Sequence, residues 1–145
     1  MADIKWQNGT ITSLATTALN SLANGSAALS DEYDNATNQY IYGLLELTVT
    51  WGTNPTAGNL VNFYLEVAPD GTNYSDDQSI SSAYLGGVPV RAVTSLQRLP
   101  LGLGMSGPIF LPPTKFKVRV VNNSGQAFPA SGSTLKIMPY RFQST

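Results

Sequence analysis

No cysteine and no histidine occur among the 145 residues of this chain. Without cysteine there is neither disulfide nor thiolate chemistry. Without histidine the usual general base and the commonest metal ligand are missing, and a Ser-His-Asp triad is impossible. Charge is scarce as well, at 12% of residues against about 25% in an average soluble protein. Hydrophobic residues make up 42%, so the polar remainder is mostly Ser, Thr, Asn and Gln. A weakly charged surface of that kind fits a protein that ends up inside an assembly. No apolar run approaches the length of a membrane-spanning helix. The opening MADIKWQNGT lacks a basic head followed by an apolar stretch, so the expectation is synthesis in a cytoplasm without a secretory signal.

A length of 145 residues suits one domain, and folding at this size buries roughly 70% of the surface the unfolded chain exposes. The near-zero net charge of −1 hides a division along the chain. Residues 1–77 hold all nine acids and one base, Lys5, for a balance of −8; residues 78–145 hold seven bases and no acid, for +7. Such asymmetry demands a structural or functional use.

Most of the chain reads as short strands. In YIYGLLELTVTWG (40–52), Leu45, Leu47, Val49 and Trp51 share one face; in LVNFYLEVA (60–68), Val61, Phe63, Leu65 and Val67 do. With TNPTAGN between them, the two runs predict a hairpin. Pro69-Asp70-Gly71 predicts a tight turn. VPVRAV (88–93) and SLQRLPL (95–101) are further strand candidates, placed at edges or ends by Pro89 and Pro100. In KFKVRVV (115–121) the cations Lys115, Lys117 and Arg119 alternate with Phe116, Val118 and Val120, and in STLKIMPY (133–140) Leu135 and Ile137 point inward. The connectors NPTAG and FPASG each carry glycine three residues after proline, as one kind of turn used twice. Ile11, Leu14, Ala15, Ala18, Leu19 and Leu22 fit a helical face, but the Ser/Thr density argues against a stable helix there. Short strands with Gly/Pro turns and no long helix predict an all-β fold: an antiparallel β-sandwich, jelly-roll-like, with an extended N-terminal arm. The boundaries are 1–23 for the arm or first strand and 24–145 for the sandwich.

Candidate chemistry is thin. Asp76-Asp77 and the cluster Asp31, Glu32, Asp34 are the concentrated carboxylates, and they read as solvated loop acids. A calcium site on Asp31, Asp34 and Asn35 has the wrong spacing for an EF-hand loop. GLGMSGP (102–108) lacks the Lys-Ser/Thr ending of a phosphate-binding loop. Phe116, the one aromatic in the basic strand, points away from the cations, which opposes single-strand nucleic-acid binding. Tyr33, Tyr40, Tyr74 and Tyr84 lie in or near loops, where they either pack on strands or serve as platforms for sugars. Three cations in a row repel unless acids lie opposite. Glu46 and Glu66 are the expected partners, within one subunit or, the favoured expectation, across two. Exposed apolar groups mark contacts, so Ile4, Trp6, Ile11 and Leu14 join Glu46, Glu66, Lys115, Lys117 and Arg119 as candidate interface residues.

The segments LSDEYDN, TNPTAGNLVNFYLEVAPDGTNYSD and above all LPPTKFKVRVVNNSGQAFPASGSTLKIMPYRF carry a resemblance to a family of small tailed-bacteriophage structural proteins, over about residues 19–142. The chain resembles a capsid decoration (cement) protein. The resemblance implies a non-enzymatic virion protein with a jelly-roll core, made in the bacterial cytoplasm and located on the capsid surface. It implies the major capsid protein as partner and a small homo-oligomer (dimer or trimer), and it brings no catalytic motif; the residues themselves lead to the expectation of no cofactor, metal, nucleic acid or membrane. A tail- or fibre-associated module that binds host-surface glycans is the alternative of a different class.

Overall fold

The computed structural model describes residues 3–75, 84–104 and 107–144. Among them lie eleven strands: β1 (Ile4–Asn8), β2 (Thr12–Ala15), β3 (Ala27–Leu29), β4 (Tyr33–Asp34), β5 (Tyr42–Val49), β6 (Leu60–Ala68), β7 (Tyr84–Pro89), β8 (Gln97–Leu101), β9 (Ile109–Phe110), β10 (Lys115–Asn122) and β11 (Thr134–Ser144). The first sheet runs β1-β11-β5-β8, with β2 also beside β11 and β9 beside β5. The second runs β3-β10-β6-β7, with β4 also beside β10.

Every pairing is antiparallel, and most join the first half of the chain to the second. β2 lies against β11, β3 against β10, β5 against β8 and β6 against β7. The chain is thus one long hairpin that doubles back between β6 and β7 and wraps into two facing sheets, the order of a jelly roll. The alternation read from the sequence sets the faces. β5 and β10 both alternate half-buried and buried residues without a break. Leu45, Leu47, Val49, Phe63, Phe116, Val118, Val120, Leu135 and Ile137 form the buried core, and Leu65 is half-buried against it.

The expected hairpin of β5 and β6 does not form. β5 pairs with β11, β8 and β9, whereas β6 pairs with β10 and β7. Both strands bury one apolar face, and placing them in opposite sheets lets those faces meet across the core. Residues 50–59 therefore arch from one sheet to the other, as do residues 123–133 on the return. Both arches use the Pro-x-x-Gly turn, with Gly58 at φ 85° and Gly132 at φ 88°, a backbone region that glycine enters without steric cost. The arches also touch. Thr56 N–H donates to the Ser124 carbonyl at 2.9 Å, and a Cβ on Gly125 would sit 2.5 Å from the Thr56 hydroxyl.

Two further expectations need correction. The strand placed at 88–93 lies earlier and stops at Pro89. Residues 91–93 are instead held as a loop by the buried Gln97 carboxamide, which accepts from Arg91 N–H at 2.9 Å and donates to the Arg91 and Val93 carbonyls at 2.8 and 3.1 Å. The N-terminal segment is extended, with one 3-10 turn at Thr17–Leu19, but it is no free arm. β1 and β2 lie in succession along the same strand, β11, and Leu14 is 1% exposed in the core. Leu14→Ala is expected to cost about 2–5 kcal/mol of stability, and Ile11→Ala, at a 62% exposed site, within about 0.5 kcal/mol. Chemical denaturation of both variants checks this; equal midpoints would mean that the segment is not part of the core.

Candidate functional site

Of the candidate interface residues, Leu14 is no surface residue at all but part of the core between the sheets; the others separate onto opposite sides of the sandwich. Glu66, Lys115, Lys117 and Arg119 lie on the outer face of the second sheet, where each already has a partner. Arg119 holds one Glu66 oxygen through Nε at 2.6 Å and Nη2 at 2.5 Å. The pair is diagonal across β6 and β10, because Lys117, not Arg119, is the residue directly opposite Glu66. Lys117 turns to the Tyr74 ring, 4.5 Å from its centroid, and Lys115 meets Glu32 at 3.0 Å. The structure thus gives the cation row an intramolecular answer, and Glu66, with a side chain 3% exposed, has little surface left for a second subunit.

The cover over this face comes from the segment after β6. Pro69-Asp70-Gly71 makes the expected turn, with Gly71 at φ 77° and its N–H on the Ala68 carbonyl at 2.9 Å. Asp70 accepts from the N–H groups of Asn73 (2.7 Å) and Thr72 (2.9 Å), which hold its carboxyl down at about 2. The returning chain brings Tyr74 onto the sheet, where its hydroxyl donates to Glu32 at 2.5 Å. That bond first, and Lys115 second, lower the Glu32 pKa. Burial and the same bond push Tyr74 up to about 12.

The other loop tyrosines are also engaged in packing. Tyr33 lies 5.2 Å from the Phe116 ring, Tyr40 takes the Arg141 guanidinium at 5.5 Å, and Tyr84 packs on Tyr64 while donating to Asn62 at 2.9 Å. In the acidic cluster, Asp34 caps Ala36 N–H. Asn35 is buried, donating its carboxamide to the Tyr40 and Pro112 carbonyls and accepting from Tyr40 N–H. Among the described residues there is no group of three or more potential metal ligands; Asp76 and Asp77 lie outside the described residues.

The outer face of the first sheet is different in kind. Neighbouring β1, β11, β5 and β9 place Trp6, Phe142, Tyr140, Tyr42 and Phe110 in one connected row. Trp6 lies 4.3 Å from Phe142 and 5.2 Å from Tyr140; Tyr42 lies 5.3 Å from Tyr140 and 5.2 Å from Phe110. These rings are not covered: Phe110 is 66% exposed, Trp6 62% and Phe142 47%. Leu103 stands beside them, and three adjoining hollows of about 330, 330 and 340 Å³ surround it. Ile11 edges one of them. At the far end Glu46 bonds Arg98 at 2.9 Å and faces Lys136 across the strands. The arrangement suits binding by apolar contact and ring stacking. Among the described residues its carboxylate is Glu46, tied up in an ion pair.

Of this face, the sequence reading included Ile4, Trp6, Ile11 and Glu46 but missed Tyr42, Phe110, Tyr140 and Phe142. A signal existed. In β11, apolar residues occupy both phases, with Ile137 and Pro139 inward and Met138, Tyr140 and Phe142 outward, and a half-solvated strand ordinarily shows a polar outer phase.

No family model and no curated protein matches the chain. Among solved structures it is similar to that of Desmodium yellow mottle tymovirus, at 14% identity over all of this chain and 89% of that one, with a TM-score of 0.44. It is similar also to turnip yellow mosaic virus (14%, all of this chain and 82% of that one, 0.40). A third is CBM32-1 from a family 31 glycoside hydrolase of Clostridium perfringens (15%, 96% and 94%, 0.31).

Removing Arg119 strands a buried carboxylate, so Arg119→Ala is expected to lose about 3–5 kcal/mol, while Lys117→Glu lowers stability only slightly; comparable losses in thermal denaturation would contradict the pairing. The depressed Glu32 and Asp70 carboxyls contribute stability that is complete above their ordinary range of about 4. That contribution disappears as pH falls through the folded values, about 2 for Asp70. Tyr74→Phe is expected to raise the Glu32 pKa and leave that of Asp70 in place, read by NMR titration; an unmoved Glu32 would contradict the Tyr74 bond.

Proposed function

We propose that the protein is a non-enzymatic structural component of a bacteriophage virion, a decoration or cement protein that binds the assembled head and stabilises it. The major capsid protein is the partner, and the capsid surface the location. The carrying observation is the uncovered aromatic row on the outer face of the first sheet. Large exposed apolar patches mark interaction sites, and each Å² of apolar surface removed from water contributes about 25 cal/mol. The opposite face is self-satisfied, so binding is one-sided, with one sheet towards the shell and one towards solvent. The scarcity of charge and the family resemblance support the same reading.

The exposed rings of Trp6 and Phe110 also favour a second reading, a module on the tail or a fibre that stacks these rings on host-surface sugars. Co-pelleting with heads lacking the protein separates the two. The double variant Phe110→Ala, Phe142→Ser alters exposed positions and is expected to keep the parent's melting temperature. Its affinity for heads should fall about tenfold or more, a loss of at least about 1.4 kcal/mol, whereas Lys117→Glu, on the other face, binds as the parent does. Equal binding by all three proteins would remove this face from the contact. Copy numbers far below those of the major capsid protein, together with sugar binding that depends on Phe110, would establish the second reading instead.

A further inference from the structure

The free edge of β1 has the geometry of a seam between two copies of the chain. β1 ends the first sheet, with no strand on its other side among the described residues. Its five residues pair with β11 in unbroken register, from Ile4 opposite Ser144 to Asn8 opposite Tyr140. It contains no proline and no bulge, and it exposes Ile4 (76%) and Trp6 (62%). The other edges are blunted. β8 carries Pro100 and Arg98; β7 ends in Pro89 and has a break in register; β3 and β4 are three and two residues long; and the register of β2 shifts on β11. Short strands, charges, prolines and bulges are how sheets prevent edge pairing; β1 carries one charge, Lys5, but neither proline nor bulge, and a regular edge of that kind is a template for another strand.

The hydrogen-bond phase of β1 fixes what that strand must be. Gly9 N–H donates to the Pro139 carbonyl at 2.7 Å, one step beyond the Asn8–Tyr140 pair. Backbone groups alternate between the two sides of a strand. Lys5, Gln7 and Gly9 therefore direct theirs at β11, and Ile4, Trp6 and Asn8 direct theirs at the open edge. We propose that the β1 strands of two copies pair antiparallel about Trp6, joining the two first sheets into one. In this register Trp6 meets Trp6, and Ile4 meets Asn8 in both directions, so all three outward-facing residues bond. Any other in-phase register bonds fewer. Lys5, the one charge in β1, then stands opposite the neutral Gln7 and not another lysine. The arrangement is isologous and closes at two copies, and it extends the aromatic row across both.

This seam does not depend on the shell reading, and its test contains no shells, so either can fail alone. Sedimentation of the full chain is expected to show a concentration-dependent dimer. Trp6→Phe keeps the backbone donor and should dimerise like the parent. Trp6→Pro removes the outward N–H without touching the bonds to β11, as proline is tolerated at such edges, and should weaken dimerisation about tenfold or more. Because the chain has no cysteine, single thiols map the register under mild oxidation with copper–phenanthroline. Trp6→Cys sets two Cα atoms about 5.5 Å apart, within disulfide reach, and should give a covalent dimer. Asn8→Cys sets them four residues out of line, about 13 Å along the strand, and should not. A monomeric or trimeric parent, a Trp6→Pro variant that dimerises normally, or cross-linking as fast at position 8 as at position 6 would each overturn the proposal.

Discussion

The structure depends on antiparallel pairing between the first half of the chain and the second. A jelly roll formed by wrapping one long hairpin gives nearly every early strand a late partner, and so turns a division of charge along the sequence into contact across strands. Glu32, Glu46 and Glu66 come from the acidic half, and their partners Lys115, Arg98 and Arg119 from the basic half. A sparsely charged chain needs few such contacts. Opposite charges placed in facing strands favour the native register, while like charges within each half disfavour pairing early strands with one another.

The outer faces of the two sheets use this plan differently. On the second sheet, ion pairs, the Tyr74 hydroxyl and the Asp70 turn bond polar groups internally, and Glu66 is buried. On the first sheet the ion pair of Glu46 and Arg98 sits at one end, and rings fill the rest. Polar groups are bonded on one face and rings stand exposed on the other, so the sandwich has two unlike faces, one of them suited to apolar contact. Aromatic side chains suit that task, since they give large contact areas for little loss of side-chain freedom.

Local pattern made much of the fold legible. Period two in four runs identified the core positions, and the two Pro-x-x-Gly connectors proved to be arches that do the same job at the same end of the sandwich. Alternation shows which side of a strand is buried, but not which sheet the strand joins, and this is why β5 and β6 read as a hairpin. Leu14 and Ile11 look equivalent as apolar residues ahead of the first clear strand, yet the one enters the core and the other faces out. Glu66 reads by alternation as an outward-facing charge, yet it is buried and held by Arg119, a tertiary contact that no short window contains. Spacing brought the cation row to light, but its partners depended on a diagonal geometry that only the assembled sheet defines.

The measurement closest to the central claim is a double-mutant cycle on Glu66 and Arg119, using Glu66→Gln, Arg119→Gln and the pair together, with stability from denaturant unfolding. The account predicts a favourable coupling of about 1 kcal/mol or more, within the range for residues in direct contact, because these side chains join the two halves at a site with little water. Additive effects, with zero coupling, would contradict it.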